Sequence, residues 1–352
     1  MGRVADDDIR RILESAIQAP SADNHHRIRF AVDDDRIRVF AAEDLVLRPE
    51  GYQRLLALLS LGAVVENLRI AASRFGVAVD TRLLPEPERP DLLLNCRLQD
   101  GGAVVDALWQ RIPERHTCRT LRFHGPSMSE AQRAELATAV DRYSPCRLIW
   151  LDRPDQRPRV LRLMRLAETE RFRNPLLHAE LFSAVRFDVG WHGNCAEGLP
   201  PGSLAVEPPL RPFFALLRHW PVAKAANRLG MHRLLGVRSC DLPCRLAPHL
   251  GVLTVEKPDP RSLLDAGSAF QRLWLTATAH GRVLQPLPAS ALYAAAGAQG
   301  EGIPDILQQT LVDGWRELVG TDTPVMVFRM GFAAPSPIVT GRQPLAHYLR
   351  SS

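Results

Sequence analysis

The stretch APSADNHHRIRF, residues 19–30, places a Pro-Ser turn, an asparagine and two histidines where a helix gives way to a strand. The segment before it carries Ile9, Leu13 and Ile17 at helical spacing, and Pro20, which has no backbone N–H to donate, ends that helix. Ser21 and Asn24 are thereby presented on a rigid turn, with short groups that donate to or accept from a small polar ligand. Adjacent side chains on a strand point to opposite faces, so one of His25 and His26 is expected exposed and the other buried, not both on a metal. The six cysteines form no CxxC pair, and CDLPC is one residue too wide, so neither a metal site nor a disulfide framework is expected. Cys118 is read as an inert thiol, because no His and Asp arrangement can be assigned to it. No catalytic residue is assigned.

The elements that must hold this turn form an α+β pattern. At 352 residues and 46% hydrophobic, the chain can bury a large core in one big domain or two ordinary ones. Its net charge is +5, and the basic residues, nearly all of them Arg, are spread along the whole chain. With no stacking platform or motif to accompany that charge, no nucleic-acid partner is expected. The start lacks a signal-like apolar core, and the most apolar helix is interrupted by Glu66, Arg69 and Arg74. A cytoplasmic protein without a membrane partner is expected.

Alternation around Asp33–Asp35 predicts a β-hairpin, followed by a long helix from about Tyr52 to Phe75 and a strand in DLLLNCRL. Near Pro126 the pattern restarts with a helix behind the N-cap candidate Ser129, a strand in CRLIWL and a helix in PDQRPRVLRLMRLAETERF. LGVLTVE, a buried helix before Gly281 and PVMVFRMGF complete the second sheet. Residues 188–247, rich in Gly and Pro with one or two short helices, read as a lid insertion. GAVVENLRIAASRFG (62–76) and GSAFQRLWLTATAHG (267–281) match in length, in both terminal glycines and in apolar spacing. That match is either coincidence between apolar helices or the mark of two tandem half-units, 1–124 and 125–352.

APSADNHHRIRF resembles the APSxxNxQPWxF segment of the FMN-dependent nitroreductase superfamily, and RHTCRTLRF (115–123) resembles its RRSxRxF phosphate motif. GFAAPSPIVTGRQPL is similar to the family's C-terminal tail. The Pro-Ser segment precedes the Arg motif here, the order of the Acg-like branch, whose single chains mimic the family's homodimer. The resemblance implies a bacterial flavoprotein with a nitroreductase-like fold: a mixed β-sheet packed by helices, a pseudo-dimer in one chain that is monomeric or weakly dimeric, and FMN between the halves.

On the same resemblance Pro20, Ser21 and Asn24 would wall the flavin ring, and Arg115, His116, Thr117, Arg119 and Arg342 would hold its phosphate end. Arg115 and Arg119, four apart on the first turn of a helix, would face the phosphate together. As ordinary helix arginines they would instead be solvated. Hydride would pass through flavin N5 to or from a small-molecule or modified-peptide substrate; the alternative is a protein that binds or stores FMN without catalysis. His25-His26 replaces the family's Gln-Pro and Ile28 its Trp.

Overall fold

The computed structural model describes residues 4–42, 50–86 and 88–350. Helix α1 (Asp6–Ala16) opens with three aspartates, whose charge favours a helix N-terminus, and buries Ile9, Ile12, Leu13 and Ala16. A 3-10 turn at Ala22–Asn24 leads into the hairpin β1 (Ile28–Asp33) and β2 (Arg36–Ala41). Helix α2 (Tyr52–Ser73) follows, then β3 (Ala78–Leu83) and β4 (Leu92–Gln99). These strands form an antiparallel sheet in the order β1-β2-β4-β3.

The pattern then repeats. Helix α3 (Glu130–Asp141) starts at the capping box formed by Ser129 and Gln132. Strand β5 (Arg147–Trp150), α4 (Arg157–Arg173) and α5 (Pro175–Ala184) precede the Gly/Pro-rich insertion. That insertion holds α6 (Arg211–Leu217), α7 (Trp220–Arg228), α8 (Met231–Gly236) and α9 (Leu242–Arg245), more helix than its composition suggested. Then come β6 (His249–Val255), α10 (Pro260–Ala279), β7 (Val283–Pro286), α11 (Ala289–Leu292), α12 (Asp305–Val319), β8 (Thr323–Gly331) and α13 (Leu345–Tyr348). The second sheet runs β5-β6-β8-β7, again antiparallel and in the order of the first.

Every strand pair of both sheets is antiparallel where a mixed sheet was expected; the parallel pairings are isolated bridges, two of which tie segments that cross between the sheets to a strand. Thr117 pairs with Leu284 beside the second sheet, while the C-terminal Leu349 pairs with Phe30 on the first. Between the sheets α2 packs on α10. A Cβ on Gly62 would stand 2.0 Å from the Leu264 carbonyl oxygen, and one on Gly267 would stand 2.1 Å from that of Leu59. The two glycines that open the matched stretches therefore let two backbones touch reciprocally. Ser268 donates to the Gly62 carbonyl at 2.9 Å, and Gln271 donates to Asn67 at 2.6 Å. Arg272 pairs with buried Glu66 at 2.5 Å and with Asp106 at 2.7 Å. Helix α2 is long and apolar enough to cross a membrane, yet most of it is buried as a core helix against α10.

Candidate functional site

A cavity of about 610 Å³ lies between the two sheets' helices and the insertion, a size suited to a cofactor or drug-sized ligand. Pro20, Ser21, Asn24, Arg115, His116, Thr117, Arg119 and Arg342 all line it, although they are drawn from three distant parts of the chain. The turn after α1 supplies the first three, the segment that crosses to β7 the next four, and the tail before α13 the last. Apolar walls come from α2 (Leu59, Ala63), α10 (Phe270, Trp274) and the loop after β7 (Leu287).

Local structure explains how the first wall is fixed. The α1 exit leaves carbonyls that continue no helix, and Arg342 donates to those of Ile17, Gln18 and Ala19 at 2.8, 3.3 and 2.8 Å. Arg342 also donates to Asn24 Oδ1, while Asn24 Nδ2 donates to the carbonyls of Ala196 and Gly341 at 3.2 and 3.3 Å. Asn24 adopts a positive φ of 57°. Its amide, expected to face a ligand, thus clamps the turn to the tail and to the insertion. His26 donates to the carbonyls of Ile17 and Ala19 at 2.9 and 3.1 Å, and burial, helped by the charge of Arg342, pushes its pKa down to about 3. His25 is half-buried where an exposed partner was expected, and both histidines precede β1, so only the burial of one of the two is as expected.

The arginine motif departs from its expected helix. Residues 115–119 are irregular, with a single bridge from Thr117 to Leu284. Arg115 and Arg119 are therefore not neighbours on a helix turn, although both line the cavity. Their electrostatic surroundings differ accordingly. Arg115 is buried over the Trp274 ring at 4.5 Å, donates to the Gln18 carbonyl at 2.9 Å, and feels Arg342. Arg119 instead feels Asp23 and Arg171.

Burial pushes the pKa of Arg115 down to about 9, and those of Arg119 and Arg342 down to about 10. Among the described residues no carboxylate lies within 4.0 Å of any of the three. The Ser21 hydroxyl and Arg115 Nε are buried without a partner. Buried positive charge without an ion-pair partner, beside orphaned polar atoms, is what an anionic ligand would complete. Elsewhere in the cavity Glu168 is buried, its pKa raised by burial against the charge of Arg171, and Tyr52 donates to Glu180 at 2.5 Å.

The residues the sequence reading missed come from the insertion and from α4. Leu204, Val206, Leu210, Phe213, Met231, Leu234 and Arg238 line the cavity from residues 188–247, and Glu168, Arg171 and Phe172 line it from α4. Ser60 on α2 receives a hydrogen bond from the Ala22 N–H at 3.3 Å and also lines the cavity. Only the length of the insertion signalled its part; nothing in the spacing of α4 marked its inward face. The cysteines are all free, and no cluster of three metal-ligating side chains occurs among the described residues.

The architecture is α+β, two antiparallel four-stranded sheets with helices, and the site is a cofactor-sized cavity lined by arginines. The chain is 28% identical over 206 residues to the "Putative NAD(P)H nitroreductase acg" of Mycobacterium tuberculosis, covering 57% of this chain and 59% of that protein. It is 25% identical over 351 residues, 96% of its length, to 47% of the "Uncharacterized protein MT1398" of the same species. The chain thus spans about half to three-fifths of the length of the curated relatives it matches. No family model matches it. Among solved structures it is similar to the FMN-dependent nitroreductase NfnB of Mycobacterium smegmatis, at 19% identity and a TM-score of 0.39, with 69% of this chain and 96% of that one covered. A nitroreductase with bound FMN from Desulfitobacterium hafniense gives 14% identity and a TM-score of 0.36, over 71% of this chain and 100% of that one.

Proposed function

We propose that the chain is an FMN-dependent oxidoreductase of the nitroreductase type, built from two nitroreductase-like halves, residues 1–124 and 125–352, that together hold one flavin. The observation that carries this reading is the trio Arg115, Arg119 and Arg342, whose unneutralised charge lines a cavity of cofactor size. The two sheets of equal strand order and the reciprocal glycine contact of α2 and α10 support the fused arrangement. Proteins similar in sequence or fold carry nitroreductase names, and several of the solved ones carry FMN in theirs.

Bound FMN would supply two-electron chemistry by giving or taking hydride at N5, with a small-molecule or modified-peptide substrate as its partner. The chain's own residues bind and orient. Arg115 supplies a guanidinium with a free Nε for the phosphate, and Ser21 and Thr117 add neutral donors. Arg342 and Asn24 hold the α1 exit rigid beside them. Leu59, Phe270 and Leu287 exclude water from one side, and the insertion covers the other.

The test is to purify the chain with excess FMN, record its visible spectrum, and titrate it anaerobically with NADPH and then dithionite. Flavin that stays bound and transfers electrons to a nitroaromatic or quinone acceptor supports the reading. Bound flavin that dithionite reduces but no acceptor reoxidises indicates storage, and no bound flavin removes the proposal.

A further inference from the structure

Residues 201–250 hold seven Arg or Lys against two Asp or Glu, so the chain's whole excess of +5 resides in this one segment. Both acids are already taken, Glu207 by Arg238 at 2.6 Å and Asp241 by Arg245 at 2.6 Å and Arg165 at 2.9 Å. Arg218, Lys224, Arg228 and Arg233 are exposed and make no ion pair among the described residues. Helices α6 to α8 and the residues that flank them expose Leu210, Phe213, Leu216, Val222, Leu229 and Leu234, with Leu229 at 90% and Leu234 at 63%. Single exposed leucines are ordinary; six apolar side chains on one short insert are a surface feature. Leu210, Phe213 and Leu234 also line the cavity, so this patch rims its mouth.

Three occupants would cover such a face, and charge separates them. A second copy of the chain would bring the same positive patch against itself in a two-fold contact. Nucleic acid would match the charge and leave the leucines in water. An anionic bilayer takes both, with headgroups against the cations and acyl chains against the leucines, as at the surface helices of peripheral enzymes. We propose that the α6–α8 insert docks on an anionic lipid surface with the apolar mouth of the cavity turned to the bilayer. This does not depend on what the cavity binds.

The experiment is co-sedimentation of the full chain with phosphatidylglycerol–phosphatidylcholine vesicles, with pure phosphatidylcholine as the comparison. Binding is expected only to the anionic vesicles and is expected to be released by high salt. Each basic residue near such a surface contributes about fivefold, so Lys224→Glu with Arg228→Glu should weaken binding by about 25-fold or more. Leu229→Asp should weaken it as well. All three side chains are exposed, so the melting temperature and the far-UV circular dichroism should stay at wild-type values and show that the variants fold. No association with anionic vesicles at low salt, or association unchanged in both variants, would overturn the proposal. So would a dimer seen by light scattering that Leu229→Asp dissociates, since the patch would then belong to a second copy.

Discussion

Replacing Arg115 by methionine should leave the ligand-free protein as stable as wild type or more stable, while removing most of its stabilisation by FMN. The guanidinium is buried, has no carboxylate within reach among the described residues, leaves Nε unpartnered, and is pushed down to about 9 by burial and by Arg342. Exchanging a buried charge for an apolar side chain of similar volume is often neutral or stabilising by about 1–4 kcal/mol. The lost hydrogen bond to the Gln18 carbonyl opposes this by about 1–3 kcal/mol, and methionine keeps apolar contact with Trp274. With FMN at a hundred times its Kd, wild type should gain about 2.7 kcal/mol. Removing one charge-assisted phosphate contact worth about 2 kcal/mol raises Kd roughly thirtyfold and cuts that gain to about 1 kcal/mol. Urea unfolding with and without FMN measures both quantities. A ligand-free variant weakened by more than about 3 kcal/mol that keeps the full FMN increment would refute the reasoning, and would make Arg115 a purely structural strut.

Arg119→Glu should weaken FMN binding by on the order of 3 kcal/mol, about a hundredfold, whereas the same reversal at exposed Arg142 should leave it unchanged; fluorescence titration of flavin decides. Gly62→Leu should destabilise the fold by about 3 kcal/mol or more, because its Cβ would lie 2.0 Å from the Leu264 carbonyl oxygen, and retained wild-type melting would contradict the close helix crossing. His26 is held neutral, at about 3 against an ordinary 6.5, so its contribution is complete above pH 6.5 and is lost as pH falls towards 3. Between pH 6.5 and 5 that amounts to about 2 kcal/mol, which should vanish from the pH dependence of urea unfolding in His26→Gln.

Most of the fold was legible because its core elements carry strong periodic signals. Helix α2, the β1–β2 hairpin, β4, the capped start of α3, and β6, α10 and β8 fall where alternation, helical spacing and cap residues put them. Strands β3 and β7 escaped notice: β3 shows a half-exposed, weakly alternating pattern and β7 is only four residues long. The eight candidate residues do gather at one cavity, yet two roles were misjudged for reasons invisible in sequence. Asn24 is consumed by Arg342 and by backbone carbonyls of the insertion and tail, contacts that depend on residues more than 170 positions away. Arg115 and Arg119 lie on an irregular segment that is bridged to Leu284 at Thr117 instead of on a helix, a long-range pairing that local spacing does not report. The insertion's helices were hidden by prolines, which in α6 and α7 occupy first-turn positions and so start helices rather than break them.

The most direct test of the account is the flavin stoichiometry of the full chain. Ser21 comes from the first sheet's side, while Arg115, Thr117, Arg119 and Arg342 reach the same cavity from segments that cross between the sheets, so one complete set of site residues exists per chain. After saturation with FMN and removal of the excess, heat denaturation should release one FMN per chain. Two per chain, or none retained, would contradict the assembly of this site.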